Sequence, residues 1–129
     1  MKFATATAMI VALFVGLSVA PAPAFAGEGE SVKKGMKVFK KCKACHTVDK
    51  GGKNKSGPNL FGVVGRAVAG TDFKKYKALS AADGVWDEAN LDKWLTNPKK
   101  YNGKKTAMSV KLKRAKDRKN VIAYLKTLK

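Results

Sequence analysis

The sequence of 129 residues is poor in side chains that bind metals or react as nucleophiles. It contains one histidine and two cysteines, and only nine acidic residues accompany its 27 lysines and arginines. A structural zinc site built from cysteine and histidine needs four such ligands, so this kind of site is excluded. Beyond residue 26 there is also no apolar stretch long enough to span a membrane.

Residues 1–26 differ in composition from the rest of the chain. They begin with a basic Lys2, are apolar from position 9 to position 20, and end in Ala24-Phe25-Ala26, which has the small-x-small form of a cleavage site. The apolar part is too short for a spanning helix. We therefore predict a cleaved secretory signal peptide at 1–26 and a single exported domain at 27–129, with a retained membrane anchor as the alternative.

The net charge predicts an anionic partner. The full chain carries +18, and cleavage would remove Lys2 but no acidic residue, which leaves +17. An excess of this size favours association with a membrane surface or an acidic protein. Nucleic acid is a poor candidate, because the chain has few aromatic residues, no recognisable nucleic-acid motif and a predicted export signal.

Apolar periodicity predicts an all-α fold with two long loops and no strands or internal repeats. Asp87 is the expected N-cap of one helix, with Trp86 and Leu91 in the positions of a hydrophobic staple. Four short helices bury little apolar surface, so a domain of this size needs a metal, disulfides or a cofactor to complete its core. The predicted helices cover residues 31–41, 76–82, 87–97 and 117–128, and the predicted loops cover 49–70 and 99–112.

Both cysteines and the histidine lie in one motif, Cys42-Lys43-Ala44-Cys45-His46. The pattern C-x-x-C-H is typical of c-type haem attachment, in which the cysteines bind the porphyrin and the histidine binds the iron. A Cys42–Cys45 disulfide or a thioredoxin-like redox motif has the same spacing, but the βαβ context of that motif is missing. The motif therefore predicts a covalently bound haem.

The second axial position of such a haem decides its chemistry. A free position permits ligand binding or peroxide chemistry, whereas a second protein ligand limits the iron to changes of oxidation state. With the only histidine used, methionine is the first candidate, followed by lysine or tyrosine. Met36 precedes the motif on the same predicted helix and is expected to be a packing residue. Met108 lies in the second predicted loop, which could fold over the other haem face.

Four segments of the mature chain together resemble the class I cytochromes c, and among these the bacterial cytochromes c2 most closely. The resemblance extends over nearly all of residues 29–129 and implies the class I cytochrome c fold, with short helices and long loops wrapped around one haem. The segments occur in the order KKCKACHTV, SGPNLFGVVGR, NPKKY and NVIAYLKTLK.

The resemblance also implies residue roles. Cys42 and Cys45 would form the thioethers of one haem c, and His46 and Met108 would be the axial ligands. The Pro58 carbonyl would accept the proton of the other His46 ring nitrogen. Gly35 and Phe39 of the first helix would pack against the last helix near Tyr124 and Leu125. The residues expected to contact or shield the haem propionates are Arg66, Tyr76, Trp86 and Thr106.

Three positions depart from the family pattern. Ala107 replaces a lysine next to Met108, and Ser80 stands near a position that is often asparagine. Trp94 replaces a tyrosine whose hydroxyl contacts the methionine sulfur in many relatives. The resemblance leaves open whether Trp94 makes an equivalent contact, and the redox potential depends on this contact.

The function implied is that of a monomeric periplasmic electron carrier rather than an enzyme. Its donor would be a cytochrome bc1 complex and its acceptor a photosynthetic reaction centre or a terminal oxidase, which it would contact transiently at the membrane. The alternatives are a haem sensor or peroxidase-like protein with an open site, and a haem-free thiol redox module. The lysines expected to surround the haem edge and to steer acidic partners are Lys41, Lys43, Lys53, Lys55, Lys99, Lys100, Lys104 and Lys105.

Overall fold

The computed structural model describes residues 25–129 and contains three α-helices in this part of the chain. These are α1 (Phe25–Phe39), α2 (Glu88–Thr96) and α3 (Ala115–Lys126). Two short 3-10 helices lie at Ala81–Asp83 and Pro98–Lys100. The described residues contain no strand beyond one isolated antiparallel bridge between Ala67 and Val85, which confirms the all-α class.

The predicted signal peptide lies outside the described residues, except for its last two positions, which belong to α1. None of the helices described is both long and apolar enough to cross a membrane.

The predicted helix at residues 76–82 is wrong. Bends and turns occupy residues 71–80, and a single 3-10 turn follows at Ala81–Asp83. Phe73, Tyr76 and Leu79 line the central cleft described below instead of sharing one helical stripe. A segment this short gains too few hydrogen bonds to offset the cost of helix nucleation. The placement of its apolar side chains in the wall of the cleft decides its conformation instead.

The N-cap predicted for α2 is confirmed. Asp87 has extended backbone angles, and its carboxylate accepts a hydrogen bond from the Asn90 amide at 2.8 Å. Trp86 and Leu91 on either side of the cap are both buried. The helix ends before Pro98, as predicted, because proline cannot continue the backbone hydrogen bonding.

Helix α1 packs closely against α3 through a glycine. An ideal Cβ on Gly35 would lie 2.1 Å from the Asn120 carbonyl oxygen, so only glycine permits this approach. One turn later the rings of Phe39 and Tyr124 are in contact, with centroids 5.3 Å apart. The prediction that Met36 is a packing residue is wrong, since its side chain is 53% exposed. Met36 follows Gly35 by one position and therefore points about 100° away from it around the helix.

Helix α2 is joined to α3 by an ion pair. The guanidinium of Arg118 donates to the Asp92 carboxylate at 2.7 Å and to the carbonyl oxygens of Leu112 and Lys113. Arg118 is itself mostly buried, so these bonds satisfy a cation that has little access to water. They fix the end of the second long loop against both helices.

Substitution of Gly35 tests the helix contact. We expect Gly35→Ala to lower the free energy of unfolding by roughly 1–3 kcal/mol, because the added methyl group forces α1 away from α3. Gly29→Ala is the matched control on the same helix, where a Cβ would meet nothing within 4 Å. It should be neutral or slightly stabilising, since alanine is the better helix former. Urea denaturation measures both, and equal effects would contradict the packing argument.

Candidate haem site

A cleft with an open volume of about 210 Å³ lies between the three helices and the loops that connect them. An engineered cavity of ~150 Å³ is already large enough to bind benzene, so this gap is a site for a ligand rather than a packing defect. Apolar side chains such as Leu60, Leu95 and Val121 make up most of its wall. The chemically distinctive residues predicted from the sequence all line it: Cys42, Cys45, His46, Pro58, Arg66, Tyr76, Trp86, Trp94, Thr106 and Met108.

The turn that follows α1 presents the C-x-x-C-H motif to this cleft. The amides of Cys45 and His46 both donate to the Cys42 carbonyl, at 3.1 and 3.0 Å, so the motif forms one tight helical turn. Cys42 is buried and Cys45 is exposed. Two sulfurs three positions apart on a helical turn can reach two substituents of a single planar group.

The protonation of Cys42 argues against a thiol redox centre. Burial, together with the neighbouring Cys45, raises the pKa of the Cys42 thiol to about 11. Reactive cysteines in C-x-x-C redox motifs have the opposite property, a lowered pKa that maintains the thiolate. Cys42 is therefore a poor nucleophile in the unmodified chain.

His46 is fixed in orientation by the loop that follows it. Its Nδ1 donates to the Pro58 carbonyl oxygen at 2.7 Å, and since a carbonyl can only accept, the proton is on Nδ1 and the lone pair on Nε2. Burial lowers the pKa of the imidazole, which favours the neutral form that binds metals. The backbone of Gly57 packs on the ring so closely that a Cβ at this position would lie 2.4 Å from the His46 Cε1 atom.

A second potential iron ligand, Met108, comes from a separate part of the chain. Trp94, on α2, donates a hydrogen bond from its Nε1 to the Met108 sulfur over 3.1 Å. The amide of Met108 also donates to the Thr106 hydroxyl at 3.2 Å. The contact left open by the sequence is thus made, with an indole N–H in place of the tyrosine hydroxyl that the resemblance implied.

The tryptophan that holds Met108 is itself held by an aromatic cluster. The Trp94 ring centroid lies 5.7 Å from that of Trp86 and 5.4 Å from that of Tyr101. Trp86 and Tyr101 are in turn 5.8 Å apart, and all three side chains are buried. Sequence reasoning gave Tyr101 no role, although it belongs to the NPKKY segment.

Arg66 supplies a half-buried positive charge that lines the cleft. Its two terminal nitrogens donate to the carbonyls of Phe61 and Asn59, at 3.0 and 3.2 Å, while its Nε is buried without a partner among the described residues. Burial lowers the pKa of the guanidinium. A buried donor with no partner calls for an acceptor from a bound group, and a propionate carboxylate fits this position.

The remaining residues assigned to the propionates occupy nearby parts of the cleft. The Tyr76 hydroxyl is 2.6 Å from the Thr71 hydroxyl, and Thr106 lines both the cleft and a neighbouring depression that Lys105 also lines. The two thiols and the neutral imidazole are the groups that attach and ligate a c-type haem, the thioether can serve as a second iron ligand, and the half-buried guanidinium can pair with a propionate. The cleft therefore fits this cofactor.

All eight lysines predicted to surround the haem edge are exposed. Lys41 lines the cleft, and Lys99, Lys104 and Lys105 line a shallow depression beside Thr106. The Lys55 ammonium donates to the Lys43 carbonyl at 3.0 Å, which keeps two of these residues together. The other two of the eight predicted lysines are Lys53 and Lys100, which are likewise exposed. Two lysines that sequence reasoning missed, Lys75 and Lys77, also line the cleft because residues 71–80 are not helical.

Residues 32–129 match the family model for cytochrome c, and the chain belongs to the cytochrome c family. It is 44% identical to cytochrome c2 of Rhodospirillum rubrum over 79% of this chain and all of that protein. It is 41% identical to cytochrome c-550 of Paracoccus versutus over 90% of this chain and 85% of that protein. Among solved structures, cytochrome cH from Methylobacterium extorquens superposes with a TM-score of 0.64 at 38% identity, over 74% of this chain and 97% of that structure.

These matches confirm the class I cytochrome c assignment, with a relationship close to cytochrome c2. Proteins of this family carry covalently attached haem c and transfer electrons; they are not enzymes. The chain is accordingly an electron carrier with a c-type haem, and it retains the two attachment cysteines, Cys42 and Cys45.

Proposed function

We propose that the protein is a periplasmic one-electron carrier whose single haem c is ligated by His46 and Met108. It takes electrons from a cytochrome bc1 complex and delivers them to a photosynthetic reaction centre or a terminal oxidase. The observation that carries this proposal is that one cleft brings the C-x-x-C-H motif together with a methionine sulfur 62 positions further along the chain. The haem, when bound, supplies the ferric/ferrous couple.

The protein side chains would determine whether the ferric or the ferrous state is favoured. The His46 Nε2 carries the free lone pair, and the Met108 thioether is a soft ligand that favours the ferrous state. The apolar wall excludes water and so disfavours the ferric form, which has one more charge to solvate. Both effects predict a high midpoint potential, as a carrier between membrane complexes requires.

The contacts of Met108 favour an iron whose second ligand position is closed by a protein side chain over one whose second position is open. Its sulfur accepts from Trp94, and that indole is packed between Trp86 and Tyr101. A sensor or peroxidase-like protein needs a vacant or water-filled position, which a methionine held in this way would block.

Location and partners are proposed from sequence and charge. The predicted signal peptide at residues 1–26 favours export to the periplasm, where a monomeric carrier would move between membrane complexes. The exposed lysines around the cleft would steer encounters with acidic partners and leave the complex weak enough to dissociate.

Substitution of Met108 tests the proposed ligand. We expect Met108→Ala to abolish the near-infrared sulfur-to-iron charge-transfer band of the ferric protein and to permit rapid cyanide binding, because one axial position becomes free. Met36→Ala is the control, since Met36 is exposed and does not line the cleft. A sulfur band that survives in Met108→Ala would show that another group ligates the iron.

Removal of the indole donor tests its electronic role. A hydrogen bond draws electron density from the sulfur and so weakens its donation to ferric iron. We expect Trp94→Phe to lower the midpoint potential by roughly 40 mV, if the bond is worth about 1 kcal/mol more in the ferrous form. Trp94→Tyr should restore part of the shift.

Tyr101→Phe is the matched control for this potential. It keeps the ring packed on Trp94 and removes only a hydroxyl that does not touch Met108. Protein film voltammetry measures all variants. An equal drop in Trp94→Phe and Tyr101→Phe would assign the effect to packing rather than to the hydrogen bond.

Charge reversal tests the proposed docking face. We expect the double variant Lys104→Glu/Lys105→Glu to slow bimolecular electron transfer to an acidic partner roughly tenfold at low ionic strength, with the difference vanishing at high salt. The control is Lys119→Glu, an exposed lysine of α3 that lines neither the cleft nor the depression beside it. Stopped-flow rates that do not depend on salt in the unmodified protein would contradict electrostatic steering.

A further inference from the structure

The segment that carries Met108, residues 101–111, has no regular secondary structure and is here called the distal segment. Tyr101 is its one fully buried side chain, while Asn102, Thr106, Met108 and Val110 are half-buried and the other residues are exposed. It therefore has little apolar burial of its own to keep it closed over the cleft. Segments with few buried contacts open with a small free energy.

The hydrogen bonds of the distal segment are few and mostly local. The Tyr101 amide donates to Pro98, the Lys104 amide to Asn102, and the Met108 amide to Thr106. Among the described residues, the hydrogen bonds that link this segment to parts of the fold more than ten positions away involve two side chains of its own, Met108 and Asn102. The bond to Met108 is the one from Trp94.

Asn102 connects the distal segment to the loop that precedes α2. Its side-chain nitrogen donates to the carbonyl oxygen of Ala78, 24 positions earlier, and to the Asp83 carboxylate at 3.2 Å. Its side-chain oxygen accepts from the Lys104 amide at 3.1 Å. All the bonding groups of the amide are thus engaged, and its orientation is fixed because a carbonyl and a carboxylate can only accept.

The loop that Asn102 contacts is already ordered. The other carboxylate oxygen of Asp83 accepts from the Ser80 amide at 2.8 Å and from the Ser80 hydroxyl at 3.3 Å. These bonds, together with that from Asn102, lower the pKa of Asp83, so the carboxylate is ionised at neutral pH. Asn102 consequently anchors a weakly packed segment to a fixed acceptor pair.

We propose that Asn102 is a positioning residue that holds the distal segment closed and thereby sets how often Met108 leaves the iron. The inference rests on the proposed His46/Met108 ligation. Removal of the Asn102 amide leaves the Met108 sulfur and its Trp94 donor on α2 chemically unchanged but releases the segment that carries Met108. Loss of the two hydrogen bonds that link Asn102 to the loop before α2, one of them to a charged group, should raise the open population about tenfold.

Imidazole binding to the ferric holoprotein measures this opening. When the ligand is in excess, the observed rate is limited by the departure of Met108 and reaches a plateau. We expect the plateau rate of Asn102→Ala to be about ten times that of the unmodified protein. Asn102→Asp keeps the shape but places a second carboxylate beside Asp83, so it should open the segment at least as much.

Asn54→Ala is the matched control. Asn54 also makes two side-chain hydrogen bonds, donating to the Asp72 carboxylate at 2.9 Å and accepting from the Asn59 amide at 2.9 Å. Neither bond involves the distal segment. This variant should lose a similar amount of global stability in urea while the plateau rate of imidazole binding stays as in the unmodified protein.

Hydrogen exchange gives a second readout that does not depend on the iron. In Asn102→Ala the hydrogen-bonded amides of Tyr101 and Met108 should exchange about tenfold faster, with those of α3 unchanged. Unchanged exchange and an unchanged imidazole plateau in Asn102→Ala would overturn the inference, as would equal acceleration in Asn54→Ala. Failure of the proposed ligation is distinguishable, because the unmodified protein would then lack the sulfur band and bind imidazole without a plateau.

Discussion

The fold depends on a cleft that its own side chains do not fill. The apolar residues of three helices and two long loops face this cleft. Residues 25–129 form a small domain, which has little other apolar surface to bury. The haem that the cytochrome c family attaches to Cys42 and Cys45 is therefore a structural element as well as a redox centre.

The two proposed iron ligands are held by different means. His46 belongs to a tight helical turn, and its ring is fixed between the Pro58 carbonyl and the backbone of Gly57, all within twelve positions of the chain. Met108 lies in an irregular segment and depends on side chains from elsewhere, Trp94 at the sulfur and the partners of Asn102 behind it. The proximal side is rigid for local reasons, and the distal side is closed by tertiary contacts.

Local signals were predictable from the residue pattern itself, whereas the tertiary contacts that were predicted, those of Gly35 with α3 and of His46 with Pro58, came from the family resemblance. The C-x-x-C-H motif, the Asp87 N-cap and the all-α class depend on neighbouring residues, and each agrees with the structure. The prediction of a helix at 76–82 was wrong because its apolar residues line the cleft, and periodicity does not reveal such a surface. The resemblance raised the Trp94 contact with Met108, 14 positions apart, but left it open. The Asn102 anchor joins residues 24 positions apart that no pattern in a single sequence pairs.

The central claim is that the bound haem completes the core, and the most direct test is urea unfolding of the holoprotein beside the haem-free chain, followed by far-ultraviolet circular dichroism. The holoprotein should unfold in one cooperative transition, whereas the haem-free chain should have little helix and no cooperative transition, because the cleft walls have nothing to pack against. A haem-free chain with the same helix content and the same transition midpoint would contradict the account.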